Sequence, residues 1–158
     1  MGRGSFEMRP IDKKWKIGFG YGEKYPPELQ KILKIKYHKG VDYFCPNGAS
    51  VLCPVFGVIS EVGENKYKGK YIIIRFDILQ GLSKSIYRFI AMHLSKILIT
   101  EISPIVKVSK GSIIAKTGDT GTFYDGRLHP HCHCQIDKFD KGRKIWTDID
   151  PTFIFGKV

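Results

Sequence analysis

Five histidines occur in the chain, His38, His93, His129, His131 and His133, and three of them fall within five residues. His131 and His133 lie two apart in PHCHCQID. If that segment is a strand, side chains alternate faces and both imidazoles point the same way. Cys132, Cys134 and Ile136 then share the opposite, apolar face, and Gln135 continues the histidine face. A second group, His38 and Asp42, stands four apart in YHKGVDYF. Gly40 and the β-branched Val41 argue for a turn leading into a strand there, and a turn can converge an imidazole and a carboxylate on one ion. Two nitrogens and one oxygen suit borderline-soft zinc and leave a fourth position to water, which separates a catalytic site from a structural one. His93, at the end of YRFIAMHL, is by itself an ordinary half-buried histidine. Beside a metal it becomes a candidate for proton transfer, because an imidazole titrates near neutrality. No H-E-x-x-H occurs, which excludes a helical zincin with a glutamate base.

The elements that must position these residues read as strands. Ile17-Gly18-Phe19-Gly20 reads as a short strand or turn, and PPELQKILKIKY, residues 26–37, as one short helix opening at the prolines. From Val41 onward short apolar runs are cut by glycine and proline. KYIIIRF, residues 70–76, is strongly β-branched, and SIYRFIAMHL, residues 85–94, is its expected hairpin partner across a loop at 77–84. ISPIVKVS, a turn at Lys110-Gly111, SIIAKTG, a glycine-rich loop at 118–126 and a strand at 130–137 follow. The expected fold is all-β, a compact antiparallel sheet domain with a metal-containing groove and irregular terminal segments, the last running from Lys138.

Composition sets the limits. The 158 residues fit one domain with a hydrophobic core. Lys and Arg number 26 against 15 Asp and Glu, a formal charge of +11. That excess favours a polyanionic partner. The lysines are scattered, with no Arg-rich run or stacking platform, so nucleic acid is a weaker expectation than an anionic wall polymer. No apolar run is long enough to span a membrane. The start lacks the apolar stretch and cleavage site of a signal peptide. The expectation is a protein retained in the cell that makes it, released by host lysis, or carried on a virus particle. The spacings C-x7-C (Cys45, Cys53) and C-x-C (Cys132, Cys134) are not zinc-knuckle spacings, and core thiols are expected.

Taken in order, these segments resemble the lysostaphin/LytM-type zinc endopeptidases, peptidase family M23. HKGVDYFCPNGASVLCPVFGVISEVG is similar to the family's H-x-G-x-D segment and the strand after it. YRFIAMHLS resembles its strand ending in His-Leu, VKVSKGSIIAKTGDTG its turn-and-glycine segment, HCHCQI its H-x-H, and IGFGYGEKY its opening Phe-Gly stretch. The resemblance covers about residues 17–137. It implies Zn2+ as cofactor, His38, Asp42 and His133 as metal ligands, and His93 and His131 as the catalytic histidines that do not ligate. His129 matches no fixed position. Cys53 stands where the family has a small residue, Cys132 and Cys134 replace a leucine and an aromatic, and Gln135 stands where glutamate is frequent.

The resemblance further implies hydrolysis of peptide bonds in bacterial peptidoglycan, in stem or cross-bridge, as by an endolysin or a tail-associated, antimicrobial wall hydrolase. The expected organisation is a lead-in, residues 1–36, packed on a zinc endopeptidase domain, residues 37–158. The alternatives are a catalytically silent wall-binding or scaffold module of the same fold, and a basic nucleic-acid-binding protein.

Overall fold

A computed structural model describes residues 7–99, 105–121 and 130–157. Among the described residues ten strands and two short helices follow one another. They are β1 (Lys16–Phe19), α1 (Pro27–Leu33), β2 (Val41–Phe44), β3 (Ser50–Leu52), β4 (Gly57–Asn65), β5 (Gly69–Gln80), β6 (Ser83–Ile97), β7 (Lys107–Val108), β8 (Ile113–Thr117), β9 (His131–Asp140), β10 (Ile145–Ile149) and α2 (Thr152–Phe155). They form an antiparallel sheet in the order β1-β2-β9-β6-β5-β4-β7, with β10 also on β9, and with β8 joining β3 to β6. The expected all-β antiparallel fold is present. His129 and the expected segments at 102–104 and 122–126 lie outside the described residues.

β9 is the centre of the site, and its residues are shared between three neighbours. β6 pairs with 133–138 along one edge. β2 pairs with 131–134 and β10 with 136–140 along the other. One face of these strands is core: Val41 and Tyr43, Phe89 and Ala91, Cys132, Cys134 and Ile136, with Ile72, Ile74 and Phe76 of β5, are all buried together. The opposite face carries a smaller apolar cluster, Tyr71, Ile73 and Ile90 with Met92 against it. Lys70–Phe76 is therefore apolar on both faces, which is why it reads as a continuous β-branched run.

Two expectations need correction. The loop expected at 77–84 is mostly strand: β5 and β6 stay paired to Gln80↔Ser83, leaving Gly81-Leu82 as a two-residue turn. Gly81 has φ 60°, the first central position of a tight hairpin turn, so one glycine reverses the chain where a longer loop was expected. The C-terminal segment is also more regular than a tail. β9 runs on to Asp140, β10 returns along it, and α2 places Ile154 and Phe155 in the core. The Asp140 carboxylate accepts from the N–H groups of Gly142 and Arg143, closing that turn locally.

The remaining expectations stand closer to the structure. The helix after the prolines spans Pro27–Leu33, and β1 is the short strand expected at Ile17–Phe19. All four cysteines are buried and free, with Cys132 Sγ 3.7 Å from Cys134 Sγ. No helix among the described residues is long and apolar enough to cross a membrane.

Candidate metal centre and active site

Register brings the first three residues together. Asp42 on β2 is paired across the ladder with His133 on β9, so their side chains share the face away from the core. His38 arrives from the turn before β2. Gly40 in that turn lies so close to β9 that a Cβ there would stand 2.5 Å from the Cys134 carbonyl oxygen and 2.7 Å from His133 Nε2. This is a physical reason for the glycine of H-x-G-x-D: any side chain would push the turn off the His133 ring.

His133 Nδ1 lies 2.9 Å from Asp42 Oδ1, His38 Nε2 3.2 Å from the same oxygen, and the two nitrogens 3.1 Å from each other. The far side of each ring has a partner. His38 Nδ1 is 2.9 Å from the Gly20 carbonyl oxygen, which can only accept, so Nδ1 carries the hydrogen and Nε2 is bare. His133 Nε2 is 3.0 Å from Gln135 Oε1, another acceptor, so its Nδ1 is bare as well. Three lone pairs thus converge with no hydrogen to share, an arrangement that calls for a cation. His38, Asp42 and His133 are the group among the described residues whose ligand atoms all lie close enough, within 4.8 Å of one another, to hold one. The N, N, O set fits zinc with a position left open.

Electrostatics agree. Burial by itself pushes the Asp42 carboxyl up, but the hydrogen bonds and charge of His133 and His38 outweigh it and hold the group well below the usual carboxylate range. Burial likewise pulls the His133 imidazole down, yet Asp42 outweighs it and raises the value. The raised His133 imidazole favours a proton on its otherwise bare Nδ1, so a metal taken up there competes with that proton.

His93 reaches the same face by a break in the strand. Arg88, Ile90 and Met92 pair with Asp137, Gln135 and His133, so strict alternation would turn His93 to the core. Between Ile72↔Ala91 and Lys70↔Leu94, however, β5 passes one residue and β6 two, Met92 and His93. His93 is the extra residue of this bulge, with φ 62°, in left-handed conformation. Its ring centroid lies 4.9 Å from that of His131 and 6.4 Å from that of His133. Nδ1 donates to the Thr120 carbonyl at 2.9 Å, leaving Nε2 bare. Gly121 (φ 67°) packs directly on Gly69, and that close approach seats the Thr120 carbonyl on the ring. Burial, then the charges of His131 and His133, lower the His93 imidazole to about 4. His131, 7% exposed, stands with Nε2 4.0 Å from Asp42 Oδ2. The expected common face of His131 and His133 is present, and all four described histidines meet in one site.

Residues 36–146 match the family described as Peptidase family M23. The chain belongs to peptidase family M23. Among its relatives, the peptidoglycan DD-endopeptidase ShyA of Vibrio cholerae is 30% identical over 126 residues, 79% of this chain and 26% of ShyA. This chain therefore spans about a quarter of the length of that curated relative. Among solved structures, a zinc-containing peptidase from Vibrio cholerae superposes with a TM-score of 0.67 at 26% identity, covering 91% of this chain and 39% of that one. The catalytic domain of the antimicrobial peptidase lysostaphin from Staphylococcus simulans gives 0.63 at 29% identity, covering 89% and 92%.

Reading the sequence missed the groups behind the histidines: Gly20, Thr120, Asp137 and Arg88. For Asp137 a signal existed. His131, His133, Gln135 and Asp137 put four polar residues at alternate positions of one strand opposite an apolar face, too regular for a solvated edge. Gly20 and Thr120 act through backbone carbonyls, which side-chain identity does not reveal.

Proposed function

We propose that this chain is a zinc metalloendopeptidase that hydrolyses peptide bonds of bacterial peptidoglycan, in the stem or cross-bridge. His38, Asp42 and His133 hold the metal, and His93 and His131 handle protons beside it. The observation that carries this reading is the convergence of three bare ligand atoms next to two further imidazoles that are not part of that group. Zinc bound there supplies Lewis-acid polarisation of a carbonyl and acidifies water. The chain's own groups do the rest. His93 Nε2 faces the site without a hydrogen and is neutral at physiological pH, so it can accept a proton from an attacking water. His131, across from it, can donate to the carbonyl oxygen as charge develops there, and His93 can pass the proton it took on to the leaving amine. The apolar cluster of Tyr71, Ile73 and Ile90, buried with Met92 against it, lies on the same sheet face.

The substrate class rests on the family and on the peptidoglycan activity in the name of ShyA. The net charge of +11 suits a wall carrying anionic polymer. In this reading residues 37–158 form the zinc endopeptidase domain and 1–36 a lead-in packed on it. Pairing of β1 with β2 and the Gly20 contact to His38 support that packing.

The test is metal content and wall cleavage on one preparation. The reading expects about one zinc per chain, release of new amino groups from purified sacculi, loss of both with a chelator, and recovery on adding zinc. A zinc-loaded chain that binds sacculi and releases no amines is the silent module instead. One that retains DNA in a salt-dependent way and leaves walls intact is the nucleic-acid binder.

A further inference from the structure

Behind His133 a polar chain runs along one face of β9 and ends on Arg88 of the neighbouring β6. His133 Nε2 lies 3.0 Å from Gln135 Oε1, and Gln135 Nε2 donates to Asp137 Oδ1 at 2.7 Å. Arg88 then donates to Asp137 Oδ2 through Nε and Nη2, both at 2.8 Å. The members are held close. Gln135 is 9% and Asp137 2% exposed, and the Arg88 guanidinium lies 4.6 Å over the Trp146 ring.

The polarity of this chain has one solution. Asp137 faces Arg88 as a carboxylate and can only accept. It therefore takes the NH2 end of the Gln135 amide and turns the amide oxygen towards His133. That oxygen also only accepts, so the hydrogen on the His133 ring must sit on Nε2, and Nδ1 is left bare toward Asp42. The reversed amide would set its oxygen against the Asp137 carboxylate at 2.7 Å, two acceptors in a buried place. A glutamate at 135 would fail here in the same way, with two carboxylates sharing one site. Gln135 and Asp137 are matched to each other.

We infer that Arg88, Asp137 and Gln135 are positioning residues that lock His133 in the tautomer able to bind zinc through Nδ1. This rests on the proposed metal site and adds what prepares it. A ligand imidazole whose second nitrogen is fixed by a hydrogen-bond acceptor is ready for the metal, and loss of such a partner typically weakens metal affinity about 10–100-fold.

The sharpest test is Asp137→Asn, which is nearly isosteric. Arg88 demands the amide oxygen of the new side chain, so its NH2 faces residue 135. Gln135 must then rotate and offer NH2 to His133 Nε2, reversing the relay. In chelator-stripped protein at alkaline pH, where the ring is neutral, nitrogen NMR of the imidazole should show Nε2–H in wild type and a shift toward Nδ1–H in D137N. Zinc Kd should weaken about 10–100-fold. Gln135→Glu alone should weaken zinc as well. The double variant Q135E/D137N restores an acceptor toward His133 and a donor from 137, and should recover both tautomer and Kd. If D137N unfolds by circular dichroism, Gln135→Met, which removes the acceptor and keeps the bulk, must lose the Nε2–H preference and weaken zinc. Wild-type tautomer and Kd in a folded D137N or Q135M, or a double variant no better than Q135E, would overturn the relay. Failure of the metal site itself is a different result: the wild-type chain would take up no stoichiometric zinc.

Discussion

Replacing His93 separates its chemistry from its backbone. His93 is the extra residue of the β6 bulge and sits at φ 62°, a conformation that costs a residue with a Cβ about 1–2 kcal/mol. Glycine has no such penalty there, but it adds about 0.4–1 kcal/mol of unfolded-state freedom. His93→Ala and His93→Gly both delete the imidazole, its hydrogen bond to Thr120 and its packing on His131, and differ only in the backbone. His93→Gly should therefore be more stable than His93→Ala by about 0.5–1 kcal/mol. In a chain of this size that is a rise in Tm of about 1–4 °C. Both should keep near-stoichiometric zinc, since His93 does not share the three-atom ligand set. Both should lose turnover about 10²–10⁴-fold, the range for a positioned acid or base, mostly in kcat. That loss is about 2.7–5.4 kcal/mol in the barrier. The assays are zinc by elemental analysis, amine release from sacculi, and urea and thermal unfolding on the same preparations. A His93→Ala protein that has lost its zinc would make His93 a ligand. Equal stability of the two variants would mean the bulge is unstrained. Full turnover in either would mean the proton passes through another group.

Four further outcomes are expected. His38→Ala, Asp42→Ala or His133→Ala should each remove or severely weaken zinc and abolish cleavage, and near-stoichiometric zinc in purified Asp42→Ala would refute the ligand set. Gly40→Ala should destabilise the fold by about 1–3 kcal/mol as an overpacking change and weaken zinc, because the new Cβ meets Cys134 and His133; a variant with wild-type unfolding midpoint and zinc Kd would show that the turn can yield. Zinc uptake in unbuffered solution should acidify it, and Kd should weaken as pH falls, because the metal replaces a proton that Asp42 holds on His133 above that imidazole's ordinary value; calorimetry in buffers of different ionisation enthalpy measures it, and no proton release would contradict it. Burial pushes the Cys45 and Cys53 thiols up to about 11, so native protein at pH 8 should label with iodoacetamide far more slowly than urea-unfolded protein; because the folded state holds these protons more tightly, their contribution to stability is present below pH 9 and lost as pH rises toward 11.

The character of the site was legible in the residues themselves. H-x-H on a strand settles a common face by period two, and Cys132, Cys134 and Ile136 settle which face is core, because burial of apolar side chains and the alternation of a strand are local properties. The same locality explains KYIIIRF as a strand and the placement of a helix after the paired prolines. It fails where a single backbone angle decides. Local patterning read 77–84 as a loop, whereas Gly81 turns the chain in two residues and keeps the strands paired to the end. His93 was legible as a candidate for proton transfer, but not its route to the site: strict alternation would turn it to the core, and the bulge against β5 delivers it to the face of Asp42 and His133. Which nitrogen of each ring is bare also lay beyond the sequence. Tautomers are set by acceptors brought in from elsewhere: the Gly20 carbonyl for His38, the Thr120 carbonyl for His93, and for His133 the amide that Asp137 and Arg88 orient. The residue types determined that this chain could bind a metal. The tertiary structure decided which lone pairs face it, because hydrogen-bond direction depends on groups distant in the chain and adjacent in space.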